Sequence, residues 1–342
     1  MKIKKNESFL WVKGGFCFIA INFKSVIMAT INVKQRLSTV AGRSSVTVLQ
    51  FMENQIVMMR AVNRLGTAYN YEKTKKNIEE FLGYVDIPFT LIDEQFVYEY
   101  NVFLIKRGLV RNSISFYMRI LRAVYNKAVR QKLVKKPSNP FVDVYTGVDK
   151  TRKRAVSESV ISQLYKLDLS VGTQLALARD IFVFSYCTRG MAFVDIAYLK
   201  KSDIQNGVIC YSRRKTGQQL SIKIEPAIKK IINRYSCGTS PYVFPILSTD
   251  EPKQAYEEYR LAINSYNRML RRLSKMLSEG CKLTSYTSRH SWATAARNHN
   301  IPISIISAGM GHTSEQTTQI YLKSIEDNEI DDANANILKI LG

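Results

Sequence analysis

From Val46 to Gln131 apolar residues recur at helical spacing almost without a break, and "KKPSNPFVDVYTGVDKTRKRAVSES" then stops the pattern. That stop constrains the fold more than any other feature. Two prolines, a glycine and the run "KTRKR" do not continue a helix, and they predict an extended basic linker over 146–155. One helical body must precede it, and a body of different pattern must follow. A length of 342 residues is enough for two domains, each with its own core.

The first body, 46–145, reads as four helices. "VLQFMENQIVMMRAVNRL" is the first, and "GTAYNYEKTKKNIEEFLG" is the second, closing at Gly83. The third starts near Asp93 and ends at Gly108, and the fourth, "NSISFYMRILRAVYNKAVRQKL", takes Asn112 as its N-cap. Four helices of this size make a small all-α domain. The second body, 156–342, is mixed. Helical stretches flank "GVICYSRRKTGQQLSIKI", which predicts two strands around a turn near Thr216–Gly217, and the chain closes on an amphipathic tail helix. Residues 1–45 form an N-terminal extension expected to be poorly ordered. It has the basic start and apolar runs of a signal peptide, but Lys13 and Lys24 interrupt them, and Met28 is a candidate working start.

Charge narrows the partners. Fifty Lys and Arg against 28 Asp and Glu leave +22, a surface that attracts nucleic acid ahead of anionic membrane. The excess is uneven: residues 101–160 hold 14 Lys/Arg against 3 Asp/Glu, whereas 325–342 hold one Lys against five acids. Arg119, Arg122, Lys127 and Arg130 on the fourth helix, with Arg152, Lys153 and Arg154 in the linker, are the expected phosphate contacts. The alternative for the helical stripe is a solvated face. Five scattered cysteines without a C-x-x-C pair do not make a disulfide framework and fit a reducing cytoplasm.

The three histidines, His290, His299 and His312, are nine and thirteen residues apart, and no pair has the i, i+4 spacing of a helical zinc site. No metal is expected, and with neither a Walker loop nor a Rossmann glycine fingerprint, no cofactor. Metal-free phosphodiester cleavage needs a nucleophile, cations for the non-bridging oxygens and an acid for the leaving oxygen. Arginine suits the second task through its permanent charge and fork. Tyrosine suits the first, because its attack conserves the bond as a phosphotyrosine. A lysine with lowered pKa suits the third.

Four segments carry this inventory in order. "YCTRGMAFVDIAYLKKSDI" resembles the first arginine box of the tyrosine recombinases, the phage-integrase family. "SRRKTGQQLSIKI" resembles its β-hairpin lysine, "TSYTSRHSWATAA" its second box, and "ISAGMGHTSEQTTQIYL" its final box with the nucleophilic tyrosine. The resemblance spans roughly residues 46–330. It implies a mainly α fold: a SAM-like four-helix core-binding domain, then a mixed α+β catalytic domain with a small hairpin. It implies site-specific DNA recombination of the mobile-element or invertase type, covering integration, excision or inversion. Arg189 and Arg289 would clamp the scissile phosphate, Lys215 would protonate the leaving 5′ oxygen, and His312 would bind a phosphate oxygen or position the nucleophile. Tyr321 would attack to give a 3′-phosphotyrosyl intermediate. Asp195 would support the site from behind.

One departure stands out: Tyr286 occupies the place where the family has a histidine three residues before Arg289. A phenol with a reference pKa of about 10 is a poor base at neutral pH but can donate a hydrogen bond to phosphate. Arg213 and Arg214 compete with Lys215 for its role, and Lys215 is favoured because it directly precedes the Thr-Gly turn. His290 is expected to pack or orient Arg289, and His299 to end a helix in solvent.

The implied partners are double-stranded DNA with paired sites, a homotetramer in the synaptic complex, and accessory DNA-bending proteins. No membrane partner is expected. The implied location is the cytoplasm, on the nucleoid, of a bacterium, phage or mobile element. Two other readings stay open: a type IB topoisomerase that relaxes supercoils, and an inactive DNA-binding regulator.

Overall fold

In a computed structural model, the structure describes residues 46–134, 138–149, 154–235, 238–277 and 280–322. The N-terminal extension, Arg152, Lys153 and the tail helix lie outside the described residues. The chain divides into two compact units between Asp149 and Lys150.

The first unit holds α1 (Val48–Ala61), α2 (Leu65–Phe81), α3 (Glu94–Lys106) and α4 (Arg111–Arg130), with a 3-10 turn at Phe89–Leu91. Asp86 supplies the N-terminal cap of α1 from far along the chain. Its carboxylate accepts from the amides of Leu49 (2.9 Å) and Gln50 (3.1 Å), which the first turn of a helix leaves unpaired. Asp93 caps α3 by accepting from the Phe96 amide at 2.9 Å. Asn112 does not cap α4; Val110 stands at that position. Asn112 instead brackets Asp149, accepting from its amide (2.8 Å) and donating to its carbonyl (3.2 Å). The core joins Phe51, Phe81, Phe96, Tyr100, Met118 and Leu121. The buried Tyr100 hydroxyl is satisfied by Asn77 Oδ1 at 2.7 Å.

The second unit begins with α5 (Glu158–Lys166) and α6 (Gln174–Cys187), followed by the short α7 (Phe193–Ala197). Helix α6 is buried along most of its length, including two charges, Arg179 and Asp180. Their burial is explained by a closed network: Asp180 accepts from Arg179, from Arg234 and from the Tyr235 hydroxyl. An antiparallel sheet follows in the order β1 (Ile204–Gln205), β2 (Val208–Ser212), β3 (Gln219–Lys223). Ile209 pairs with Ile222 across β2 and β3, and both are buried, which fixes the register. The sequence predicts two strands, and three are present among the described residues. The added strand β1 turns into β2 through Asn206–Gly207, both at positive φ, the hairpin signal of an Asn-Gly pair. Helices α8 (Pro226–Tyr235), α9 (Pro252–Ser274), α10 (Thr287–Asn298), α11 (Ile303–Met310) and α12 (Glu315–Gln319) complete the unit.

Helix α10 packs on α6, and α11 folds back beside α10. The buried hydroxyls of Ser185 on α6 and Ser288 on α10 bond at 2.7 Å, and Ser185 also donates to the Met191 carbonyl. That contact joins the turn after α6 to the start of α10, the two places that carry Arg189 and Arg289.

Candidate active site

Helix α6 ends at Cys187, and the chain leaves it through Arg189 and Gly190 at φ 58° and 74°. The Gly190 amide reaches back to the Ser185 carbonyl at 2.8 Å and closes the helix end. Gly190 is required by approach as well as by dihedral: an added Cβ would lie 2.8 Å from the Arg289 Cα. Arg189 sits in a conformation most side chains avoid, which turns it out of the helix. It makes no hydrogen bond or ion pair with any described residue.

Arg289, 3% exposed on the first turn of α10, is held on three sides. It donates to the Gly190 carbonyl (2.6 Å), to the Met310 carbonyl (2.7 Å) and to His312 Nε2 (2.9 Å). Arginine only donates, so Nε2 is the acceptor and the neutral imidazole carries its proton on Nδ1. That Nδ1–H donates to the Thr318 hydroxyl oxygen at 2.8 Å. Burial, then Arg289, Arg213 and Lys215, push His312 down from 6.5 to about 4. The ring is therefore neutral at physiological pH.

His312 is presented by the end of α11. Gly311 takes the left-handed conformation (φ 66°, ψ 48°), and the His312 amide returns to the Ser307 carbonyl at 3.0 Å. Tyr321 follows α12, its amide bonded to the Thr318 carbonyl at 2.9 Å. Its ring stacks on His312 (centroids 5.2 Å, 26°) and leans on His290 (4.8 Å). The Arg289 guanidinium carbon lies 5.4 Å from the ring centre. His290 Nδ1 donates to the Tyr321 carbonyl at 3.2 Å. His290, expected to pack or orient Arg289, packs on the Tyr321 ring and holds its carbonyl. His299 is exposed at the end of α10, as expected, beside Glu158 at 3.1 Å.

Lys215 is exposed in the β2–β3 turn, within electrostatic reach of His312. Asp195, 4% exposed on α7, accepts from the Arg214 amide at 2.9 Å and so steadies that turn. Burial raises the Asp195 carboxyl, while the Arg214 amide bond, Arg213 and Arg289 oppose the rise. Arg214 itself stands over Tyr198, its guanidinium carbon 3.6 Å from the ring centre. That leaves Lys215 as the free amine of the turn. Tyr286 stands immediately before α10 and is 46% exposed. Loss of water around its hydroxyl, then the neighbouring Tyr321, raise it above the ordinary phenol value, so it stays neutral.

The structure thus gathers Arg289, His312 and Tyr321 in direct contact, with Arg189, Lys215 and Tyr286 at the rim. Arg189, Arg213, Arg289 and Lys215 have no carboxylate ion-pair partner among the described residues. The Nε atoms of Arg213 and Arg289 are buried and open. Such a cluster is costly unless an anion completes it. Among the described residues no group of three His, Cys, Asp or Glu side chains is placed to hold a metal. Thr318 and Gly311 were not singled out from the sequence. Gly311 adjoins a box that was; Thr318 has no signal in "SEQTTQ" beyond its distance from His312.

In the first unit, Arg119 and Arg130 are exposed on α4, on the side away from the core. Arg122 donates to the Thr146 hydroxyl at 2.9 Å. Lys127 donates to Gln55 at 2.9 Å and stands over the Tyr71 ring. Arg154 is exposed at the start of the second unit.

Comparison with known proteins decides the family. Residues 155–327 match the phage integrase family, and residues 47–144 match the phage integrase SAM-like domain. The chain belongs to the phage integrase family, the tyrosine recombinases. Tyrosine recombinase XerC of Halalkalibacterium halodurans is 24% identical over 269 residues, covering 76% of this chain and 88% of the relative. Tyrosine recombinase XerA of Pyrococcus furiosus is 26% identical over 222 residues, covering 64% and 71%. The fold matches the Tn1549 transposon integrase, solved with circular intermediate DNA, at TM-score 0.61 and 19% identity over 86% of this chain and 100% of that one. It matches a lambda integrase, solved as a tetramer on a Holliday junction, at TM-score 0.60 and 16% identity over 91% and 92%. As a tyrosine recombinase, the chain is a DNA breaking and rejoining enzyme of site-specific recombination, and the 3′-phosphotyrosyl mechanism is general to that family. No helix among the described residues is long and apolar enough to cross a membrane.

Proposed function

We propose that this chain recombines paired DNA sites through a covalent bond to Tyr321, with the phosphate held by Arg189 and Arg289 and the nucleophile positioned by His312. The observation that carries this reading is the Tyr321 ring stacked on His312 and in contact with His290, beside a buried guanidinium that lacks a carboxylate partner among the described residues. The Tyr321 oxygen attacks the scissile phosphorus while the bond to the 5′ oxygen breaks. The phenol proton passes to water, because His312 Nε2 is occupied by Arg289 and Tyr286 is itself a neutral phenol. The Lys215 ammonium gives its proton to the leaving 5′ oxygen and is recharged by solvent. The products are a 3′-phosphotyrosyl strand and a free 5′ hydroxyl. Attack by a 5′ hydroxyl from the partner site reverses the step and exchanges the strands.

The two arginines present fixed donors to the non-bridging oxygens, and neutral His312, both of its nitrogens engaged, braces Arg289 and the Tyr321 ring without a charge that would vary with pH. Tyr286 serves as a further hydroxyl donor to phosphate. The working assembly is a homotetramer on two duplexes joined through a Holliday junction, as solved for the lambda integrase. Arg119, Arg130 and Arg154 contact backbone phosphates. A DNA substrate of this kind places the enzyme on the nucleoid. Accessory DNA-bending proteins have no step in the chemistry.

The test is a supercoiled plasmid with two copies of the native site. Inverted or excised products are expected with the parent chain and none with Tyr321→Phe. Relaxed topoisomers without exchange would instead indicate a topoisomerase. Binding without either product would indicate a DNA-binding regulator.

A further inference from the structure

Arg213 has no part in the reading above, yet it is the most enclosed cation of the β2–β3 turn. It is 8% exposed, its Nε is buried and open, and one Nη donates to the Gly311 carbonyl. No carboxylate among the described residues pairs with it. A guanidinium buried without a carboxylate partner adds little to stability and costs its desolvation. Its main chain builds the lysine turn. The Arg213 carbonyl accepts from the amides of Thr216 (3.3 Å) and Gly217 (2.7 Å), and its own amide donates to the Gln218 carbonyl (2.9 Å). Its side chain grips the other half of the site. An added Cβ on Gly311 would lie 2.8 Å from the Arg213 Cδ, so the two turns are pressed together. Asp195 holds the adjacent Arg214 amide from the far side. Arg213 itself is no proton donor, since a guanidinium does not deprotonate in a protein.

We infer that Arg213 is a positioning residue: it latches the turn that carries Lys215 to the Gly311–His312 turn, so that the leaving-group acid and the histidine that braces Arg289 and Tyr321 are set as one unit. This rests on Lys215 being the acid. Loosening the latch leaves the nucleophile and the Arg289 clamp in place and misplaces the proton donor.

The experiment measures single-turnover cleavage of two suicide substrates, one with the ordinary bridging 5′ oxygen and one with sulfur there. A thiolate is a far better leaving group than an alkoxide and departs without a proton, so the sulfur substrate does not need the acid. Lys215→Ala tests the underlying reading: slow on oxygen, near the parent rate on sulfur. Arg213→Met keeps the aliphatic stem and removes the guanidinium. It is expected to fall on the order of 10²-fold on oxygen and to recover to within about threefold on sulfur. If Lys215→Ala does not recover, the acid assignment fails and takes the latch with it. If Lys215→Ala recovers and Arg213→Met does not, the latch alone is overturned. Should Arg213→Met not fold, Arg213→Lys is read by the same pair of substrates. A loss on oxygen alone supports the latch, and parent rates on both overturn it.

Discussion

At the scale of single residues, the proton inventory distinguishes this site from an ordinary acid–base pair. Its histidine is kept neutral and its second-box phenol is kept protonated. His312 makes a prediction about stability. Between about pH 6.5 and 4 the unfolded chain binds a proton on this imidazole that the folded chain excludes. The unfolded state therefore gains as pH falls through that window, and nothing is contributed above it. The urea midpoint of the parent chain should drop more between pH 7 and pH 5 than that of His312→Gln. Equal drops would contradict the half-buried, neutral ring. Tyr286→Phe removes only a hydroxyl. Cleavage should slow about tenfold or more, the cost of one donor to phosphate, with the pH profile unchanged. An unaltered rate would leave the hydroxyl without a role, and a shifted profile would make it a base.

At the scale of elements, the site is assembled by helix ends rather than by helices. Arg189 leaves the end of α6, Arg289 opens α10, and His312 follows α11. Gly311 is the most sensitive joint. Alanine there would meet the left-handed penalty of about 1–2 kcal/mol and would crowd Arg213 and Leu220. Gly311→Ala should lower the urea-derived stability by at least about 1 kcal/mol and depress cleavage further than stability explains. A silent substitution would mean that the turn is not held as described. Much of this layer was legible. The helices before residue 131 and the β2–β3 turn follow from periodicity and from Thr-Gly. The arginines, His312 and Tyr321 stood out because their types suit phosphate chemistry. The rest depends on contacts that spacing does not encode. Asn112 is a good cap by type, yet Asp149 claims its amide. His290 adjoins Arg289 in sequence, yet on α10 it turns to the Tyr321 carbonyl. Thr318 and Arg213 gain their roles only once α11, α12 and the sheet come together.

At the scale of the whole molecule, a net charge of +22 makes binding to DNA a matter of counterion release. Affinity should fall steeply between 50 and 200 mM salt, by roughly 10³-fold or more if about six phosphates are contacted. Arg119→Ala and Arg130→Ala should each weaken binding uniformly across sequences and reduce the log–log salt slope by about one. Lys127→Ala, whose amine is already bonded to Gln55, should leave the slope unchanged. A larger loss for Lys127→Ala than for Arg130→Ala would reverse this assignment of the α4 face. The central claim, a covalent bond to Tyr321, is tested most directly by trapping the chain on a nicked suicide site and mapping the adduct by peptide mass spectrometry. The account predicts a single nucleotide-bearing peptide, modified at Tyr321 and joined to a 3′ phosphate. An adduct on Tyr286 or any other side chain, or a 5′-phosphate linkage, would contradict it.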